Sequence, residues 1–275
     1  MRCRFSVEWA RIEPEEGEFS YAALEHYRRM LAACHEHGIR PMLTFHHFAV
    51  TRWLHHYGGG WTTRPERFAL TGERVTQHLG DLIGAGCTLN RPNISSSAGA
   101  DSGINPRNDP WWETAAQRLR TTTDRLGLFQ FNATPQARDI ILKAHRRGYE
   151  AIKSVRGDFP LGLTIALHDF SKRVKAVSNA WRNPPHIGGQ LSKPLRGDDF
   201  VGVQNYARMV IGADGLIPPA EDVERNQMGE EVYPEALGGA VRYAAQVTGI
   251  PVYVTENGLA TTADFRVALN TLSVL

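Results

Sequence analysis

The sequence predicts an α/β protein in which helices cover a parallel β-sheet. Short apolar runs alternate with amphipathic helical patterns along the chain, and no linker rich in glycine and serine divides it, so one domain over residues 1–275 is expected. A (β/α)8 barrel needs about 250 residues, which this length permits. A doubly wound open sheet is the alternative architecture. It normally has a glycine-rich phosphate loop after its first strand, whereas the segment at positions 8–11 has no glycine.

Six apolar runs bounded by polar or turn residues are predicted as strands, and the longer amphipathic patterns between them as helices. The first helix carries the clearest signals, because Ser20 is a favourable N-cap and Gly38 is placed to end the helix as a C′ glycine. The predicted strands cover residues 4–9, 40–45, 86–90, 161–167, 200–204 and 251–255. Further helices are predicted over residues 65–83, 111–126, 134–155 and 234–248 and from residue 263 onward, and a long loop over residues 94–110.

Composition and charge argue against several classes of protein. The formal net charge of +2 gives no electrostatic reason to expect nucleic acid or a membrane surface as a partner. No apolar run approaches the roughly 18 residues of a transmembrane helix, and the N-terminus lacks the apolar core of a signal peptide. The three cysteines, Cys3, Cys34 and Cys87, have no metal-site spacing. A reduced, cytoplasmic protein is therefore expected.

Polar and aromatic residues follow most of the predicted strands, where parallel barrels carry their functional groups. Taken alone, Glu256 with the Asn-Gly that follows it is more typical of a solvated turn. The pair His46 and His47 is not expected to bind a metal, because adjacent strand residues point to opposite faces. The strand-end residues are Arg4, Trp9, His46, His47, Phe48, Asn90, Arg91, His168, Asp169, Tyr206, Glu256 and Asn257.

Six segments of the chain together resemble the motifs of glycoside hydrolase family 1, the β-glucosidase type of glycosidase. They occur in the family order and span nearly the whole chain. The resemblance implies a TIM (β/α)8-type barrel that is incomplete, with about six of eight strand-helix units, since the family's first and last strands have no counterpart. The matches are residues 4–14 to RFSISWSRIxP, 41–48 to PxVTLYHW with 59–61 to GGW, 87–93 to TxNEPN, 199–206 to DFIGxNYY, 229–235 to GWEIYPEG and 253–258 to YVTENG.

The resemblance also implies roles for individual residues and a small β-glycoside or oligosaccharide as the partner. It implies no cofactor or metal, because the family's chemistry uses only carboxyl groups, and it leaves the oligomeric state open. Trp61 falls on a tryptophan expected to be structural. The catalytic positions are Glu256 as the nucleophile, Arg4, which steadies it, and Tyr206, which is hydrogen-bonded to it. The sugar-binding positions are His47, Phe48, which replaces a tryptophan, and Asn90, which holds the sugar 2-hydroxyl.

Arg91 stands where the family has its acid/base glutamate. A retaining glycosidase uses two carboxyl groups about 5–5.5 Å apart, one as nucleophile and one to protonate the leaving oxygen and then deprotonate water. Arginine remains protonated near neutral pH and cannot carry out either proton transfer. General acid–base catalysis is typically worth about 10²–10⁴ in rate, so impaired turnover is expected.

Other departures from the motifs leave further hypotheses open. Gln204, Asn205 and Glu230 differ from the family residues, so aglycone specificity is not carried over. The missing strands predict unpaired sheet edges and marginal stability. Besides an impaired β-glycosidase, the alternatives are a non-catalytic sugar-binding pseudoenzyme, a non-functional gene fragment, or an enzyme in which Glu231 or Asp169 replaces the missing acid/base.

Overall fold

The computed structural model describes residues 1–57, 64–93, 110–129, 135–172, 195, 197–212 and 215–262. The chain divides into two compact units, Met1–Thr164 and Ile165–Leu275. Three predicted features lie outside the described residues: the segment 59–61 with Trp61, nearly all of the loop 94–110, and the helix from residue 263.

The first unit contains parallel strands that pair in chain order. They are β1 (Arg2–Ser6), β2 (Arg40–His46), β3 (Ala85–Asn90) and the beginning of β4 (Leu161–Ala166). Strand β3 is buried throughout, and β2 is buried after its first residue. Strands that are buried along their length are typical of a parallel sheet that is covered on both faces.

Helices separate these strands, as the periodicity predicts. They are α1 (Trp9–Ile12), α2 (Tyr21–Glu36), α3 (Pro65–Leu79), α4 (Pro110–Arg118) and α5 (Pro135–Val155), with short 3₁₀ turns at Arg52–Tyr57 and Gly80–Leu82. Both predicted limits of α2 are confirmed, because Ser20 accepts a hydrogen bond from the backbone of Ala23 at 3.2 Å and Gly38 has a φ of +66°.

Two predicted boundaries in the first unit are wrong for identifiable reasons. The strand predicted over residues 4–9 ends at Ser6, because Trp9 begins α1 and is only 2% exposed; it is a core residue and not a strand-end functional group. The helix predicted over residues 111–126 ends at Arg118. The chain turns at Arg120, which has a φ of 53°, and Leu126 reaches the core from a loop.

The second unit contains the parallel pair β6 (Phe200–Asn205) and β9 (Val252–Asn257), with α6 (Ala236–Thr248) between them in the chain. The end of β4 continues beside β6, since the backbone N–H of Leu167 donates to the Gln204 carbonyl at 2.8 Å. Helix α6 ends at Gly249, whose φ of +70° requires the left-handed region and confirms the predicted stop.

A second, three-stranded sheet was not predicted from the sequence. It consists of β5 (Asp169–Lys172), β7 (Arg208–Gly212) and β8 (Gly215–Ile217), with β5 and β7 parallel and β7 and β8 antiparallel. These strands have 4, 5 and 3 residues, which is too short to give a recognisable alternation.

The order of strands and helices confirms the predicted α/β class. The larger sheet of the described residues has six strands, β1, β2, β3, β4, β6 and β9, which is the strand content of an incomplete TIM (β/α)8-type barrel. None of the described helices is long and apolar enough to cross a membrane.

Candidate active site

A hydrogen-bonded cluster lies at the carboxyl ends of β1, β2 and β3. One Arg4 nitrogen, Nη1, donates to Thr44 Oγ1 at 3.0 Å and to Asn90 Oδ1 at 3.1 Å, and Asn90 Nδ2 lies 3.0 Å from His47 Nε2. Parallel neighbouring strands end at the same edge of a sheet, which brings residues far apart in the chain together. The first unit therefore unites three of the predicted site residues, Arg4, His47 and Asn90.

The protonation pattern of this cluster follows from its donors. Asn90 is completely buried, and its carbonyl oxygen accepts from a guanidinium that can only donate. The amide nitrogen of Asn90 therefore faces His47, and it donates to Nε2, so the imidazole carries its proton on Nδ1. With both ends of its amide occupied, Asn90 has one defined orientation.

Two other predicted site residues, Phe48 and Arg91, have strained backbones. Their φ angles are 73° and 51°, in the left-handed region that non-glycine residues rarely adopt. The Phe48 ring stands perpendicular to His47 with centroids 4.7 Å apart. The backbone N–H of Arg91 donates to the Thr164 carbonyl at 2.8 Å. Such conformations cost about 1–3 kcal/mol each and concentrate at functional sites.

In the second unit, Glu256 lies near the end of β9 with both carboxylate oxygens hydrogen-bonded. Gln204 Nε2 donates to Oε1 at 2.9 Å, and the Tyr206 hydroxyl donates to Oε2. Both donors are neutral and both come from the end of β6 or the residue after it. The contact between Tyr206 and Glu256 agrees with the sequence-based prediction. Gln204, which is completely buried, was noted only as a departure from the family motif.

A bulge between β6 and β9 makes this contact possible. Val203 pairs with Val254, but the next residue, Gln204, pairs with Glu256, so Thr255 is the extra residue of β9. Without that shift the side chains of Gln204 and Glu256 would not be directly opposite. Bulges are common beside active sites because they redirect one side chain.

The asparagines that follow Gln204 and Glu256 in the chain hold the ends of β6 and β9 in place. Asn257 Nδ2 donates to the Asn205 carbonyl at 2.7 Å, and Asn205 Nδ2 donates to the carbonyls of Leu167 and Ala207 at 2.7 and 3.0 Å. Asn205 is buried, so these bonds satisfy polar groups that water does not reach. The end of β9 that carries Glu256 is thereby held against β6.

The two carboxylates considered as replacement acid/base groups have specific neighbours. Glu231 accepts two hydrogen bonds from Arg208, at 2.7 and 2.6 Å, and these bonds raise the pKa of the guanidinium. Burial raises the pKa of Asp169, with Arg242 and Arg208 acting in the opposite direction. A methyl group added to Gly239 would lie 2.5 Å from Asp169 Cγ, so this carboxyl packs directly on α6. Glu231 is a charged acceptor, which makes it a poor proton donor.

His46 and His47 face different surroundings, as the alternation along the strand predicts. The ring of His46 is fully buried, with centroids 4.7 Å from Phe129 and 6.2 Å from Trp9, and burial lowers its pKa to about 3. His47 belongs to the cluster with Asn90. Within the described part of the chain, no group of three or more histidine, cysteine and acidic residues could hold a metal ion.

Comparisons with known proteins agree with the motifs. The model of the glycosyl hydrolase family 1 matches residues 1–180. The rice protein named beta-glucosidase-like SFR2 is 26% identical over 282 residues, 95% of this chain and 41% of the rice protein. Beta-glucosidase A of Thermotoga maritima is 26% identical over 284 residues, 94% of this chain and 63% of that enzyme.

A solved structure extends the similarity to three dimensions. The crystal structure of beta-glycosidase BGL167 has a TM-score of 0.91 and 47% sequence identity, covering 98% of this chain and 66% of the other. The chain thus spans about two fifths of the rice relative and about two thirds of BGL167.

Proposed function

The chain belongs to glycosyl hydrolase family 1, and on this premise we propose that it is a retaining β-glycosidase, β-glucosidase-like by descent, with impaired turnover. The observation that carries the proposal is the carboxylate of Glu256, which is oriented by two neutral donors, Gln204 and Tyr206. Hydrogen bonds to both oxygens fix the direction in which the carboxylate points. That is the arrangement an attacking nucleophile requires.

The remaining roles are proposed from the family positions. The partner is a small β-glycoside or oligosaccharide, whose 2-hydroxyl contacts the oriented amide of Asn90 and whose ring lies beside His47 and Phe48. Arg4 steadies the nucleophile. The rigid bonds of Asn90 to Arg4 and His47 support a recognition role, because a preorganised polar group loses little entropy when it binds a sugar.

Arg91 determines which step is impaired. In the first step an oxygen of Glu256 attacks the anomeric carbon, and the bond to the leaving oxygen breaks with its electron pair. Arg91 cannot protonate that oxygen, so only a leaving group that is stable as an anion departs readily. In the second step water attacks the glycosyl-enzyme without a general base, and the intermediate accumulates.

Burst kinetics with 2,4-dinitrophenyl β-glucoside test the proposal. This substrate needs no acid for departure, so we expect one equivalent of dinitrophenolate to be released rapidly, followed by slow turnover. Glu256→Gln should abolish the burst, whereas Glu235→Gln, a matched change at an exposed glutamate, should retain it. Absence of a burst in the folded chain, or a burst that persists in Glu256→Gln, contradicts the proposal.

A sugar-binding pseudoenzyme is the second candidate, and Arg91 is the observation that favours it. This reading predicts that glucose or a β-glucoside binds in a calorimetric titration while the dinitrophenyl substrate gives no burst. Sugar binding that is lost in Asn90→Ala, together with the absence of a burst, would support this alternative, because it would place an unreacted ligand at the buried amide.

We further propose a cytoplasmic protein of carbohydrate metabolism, in which residues 1–275 belong to one barrel domain. None of the three cysteines, Cys3, Cys34 and Cys87, is in a disulfide, which supports a reducing compartment. When the protein is isolated under alkylating conditions, we expect all three thiols to be alkylated. A disulfide between any two of them would contradict this location.

A further inference from the structure

Arg91 carries a permanent positive charge and falls on the motif position where the family has the group that protonates the leaving oxygen. We propose that the preferred substrates are β-glycosides whose leaving group is an oxyanion bound by this guanidinium, namely a glycosyl phosphate or a glycosyl ester of a carboxylic acid. The inference rests on the proposed function, because it takes Glu256 as the nucleophile.

The backbone of Arg91 is fixed by the residue before it and by its own N–H. Before it, Asn90 is completely buried and bonded through its amide to Arg4 and His47 at 3.1 and 3.0 Å. At Arg91 itself the N–H donates to the Thr164 carbonyl at 2.8 Å, and a φ of 51° sets the direction in which the side chain leaves the strand. The guanidinium is therefore carried by a rigid turn, which reduces the entropy lost when it binds an anion.

The guanidinium of Arg91 is shielded from water on its Nε side. Its Nε atom is buried, although Arg91 as a residue is partly exposed. A second guanidinium, that of Arg4, donates to the side chain of Asn90, the residue before Arg91. A guanidinium that is partly shielded from water favours an anionic group over a neutral one.

Arginine suits phosphate and carboxylate in geometry as well as charge. Its planar fork donates two parallel hydrogen bonds to either group. When an ester leaves, the anion forms only as the bond to the sugar breaks, so the contact with Arg91 strengthens in the transition state and raises kcat. An alkyl glycoside would leave as an alkoxide that needs a proton, which Arg91 cannot supply.

The bound anion also replaces the missing base. Glu256 attacks the anomeric carbon, and the phosphate or carboxylate departs with the electron pair of the broken bond and stays on Arg91. A water oxygen then attacks the anomeric carbon, the bond to Glu256 breaks, and the water proton passes to the bound oxyanion. The products are the free sugar with retained configuration and phosphoric or carboxylic acid, so atoms and charges balance.

Three substrates and three variants test the inference in the full chain. The substrates are β-glucosyl phosphate, 1-O-benzoyl-β-glucose and octyl β-glucoside, and the readout is kcat/KM for free glucose. The protein should prefer the first two over the third by at least about tenfold, the lower end of the effect of a charge-assisted hydrogen bond. Arg91→Met should lose about tenfold to a hundredfold on those two substrates, and Arg91→Lys should lose less.

Arg91→Glu should reverse the substrate preference, because it restores a proton donor and repels anions. Its kcat/KM should rise for the octyl glucoside and fall for the phosphate. If only one of the two substrates with an oxyanion leaving group depends on Arg91, the anion subsite is supported and its source identified. Equal cleavage of all three substrates, or no loss in a folded Arg91→Met variant, overturns the inference. Failure of the Glu256-dependent burst described above would instead reject the proposed function itself.

Discussion

The hydrogen bond from Gln204 to Glu256 should contribute measurably to stability, and the chain contains its own control. The amide nitrogen of Gln204 donates to Glu256 Oε1 at 2.9 Å in a partly buried setting. On the exposed face of α3, Gln77 donates to Glu73 Oε1 at the same distance of 2.9 Å. Atoms and length are matched, so only burial and strand context differ. A hydrogen bond to a charged group is worth about 1.5–3 kcal/mol when shielded, and an exposed helical pair about 0.2–0.5 kcal/mol.

Double-mutant cycles measure both contacts. Gln204→Leu and Glu256→Ala, singly and together, should give a coupling energy of about 1.5–3 kcal/mol in urea unfolding. The corresponding cycle of Gln77→Leu and Glu73→Ala should give no more than about 0.5 kcal/mol. Equal coupling energies in the two cycles would refute the reasoning, since they would mean that the Gln204 bond is as solvated as the surface pair.

Three further predictions concern stability. Burial holds the pKa of His46 at about 3, below its unfolded value near 6.5, so unfolding is favoured as pH falls below about 6.5. Between pH 7 and pH 5 the wild type should lose about 2 kcal/mol more than His46→Phe in urea unfolding. Glu13→Ala removes the carboxylate that Trp9, Arg67 and other groups contact and should cost about 3–5 kcal/mol, while Glu15→Ala at the surface should stay within about 0.5 kcal/mol. Gly148→Ala places a methyl 2.4 Å from the Phe68 ring and should cost about 1–3 kcal/mol in a thermal scan.

Much of the fold could be predicted because its strands are apolar and its helices periodic. The limits of α2 follow from Ser20 and Gly38, whose roles depend on local backbone geometry alone. The sheet of β5, β7 and β8 could not be predicted, because its strands are short and because β5 pairs with β7, which lies far along the chain. Leu126 suggested a longer α4, since a buried leucine gives the same signal from a helix or a loop.

The part of the site that lies at the ends of neighbouring parallel strands could be predicted from the sequence. Arg4, His47 and Asn90 come together because β1, β2 and β3 are parallel neighbours. Gln204 was missed as a partner of Glu256, because its contact depends on a bulge that no local pattern encodes. The pairing of two adjacent strand ends, one with an amide and one with a carboxylate, is the signal that could have suggested it.

The central claim is that Glu256 is the nucleophile of a retaining glycosidase, and a trapped intermediate tests it most directly. The 2,4-dinitrophenyl glycoside of 2-deoxy-2-fluoro-β-glucose should react without an acid catalyst and form a glycosyl-enzyme that hydrolyses slowly. Peptide fragmentation by mass spectrometry should locate one added fluorosugar on Glu256, and none in Glu256→Gln. A label on Glu231, on Asp169 or on any other residue, or no label in the folded chain, would contradict the claim.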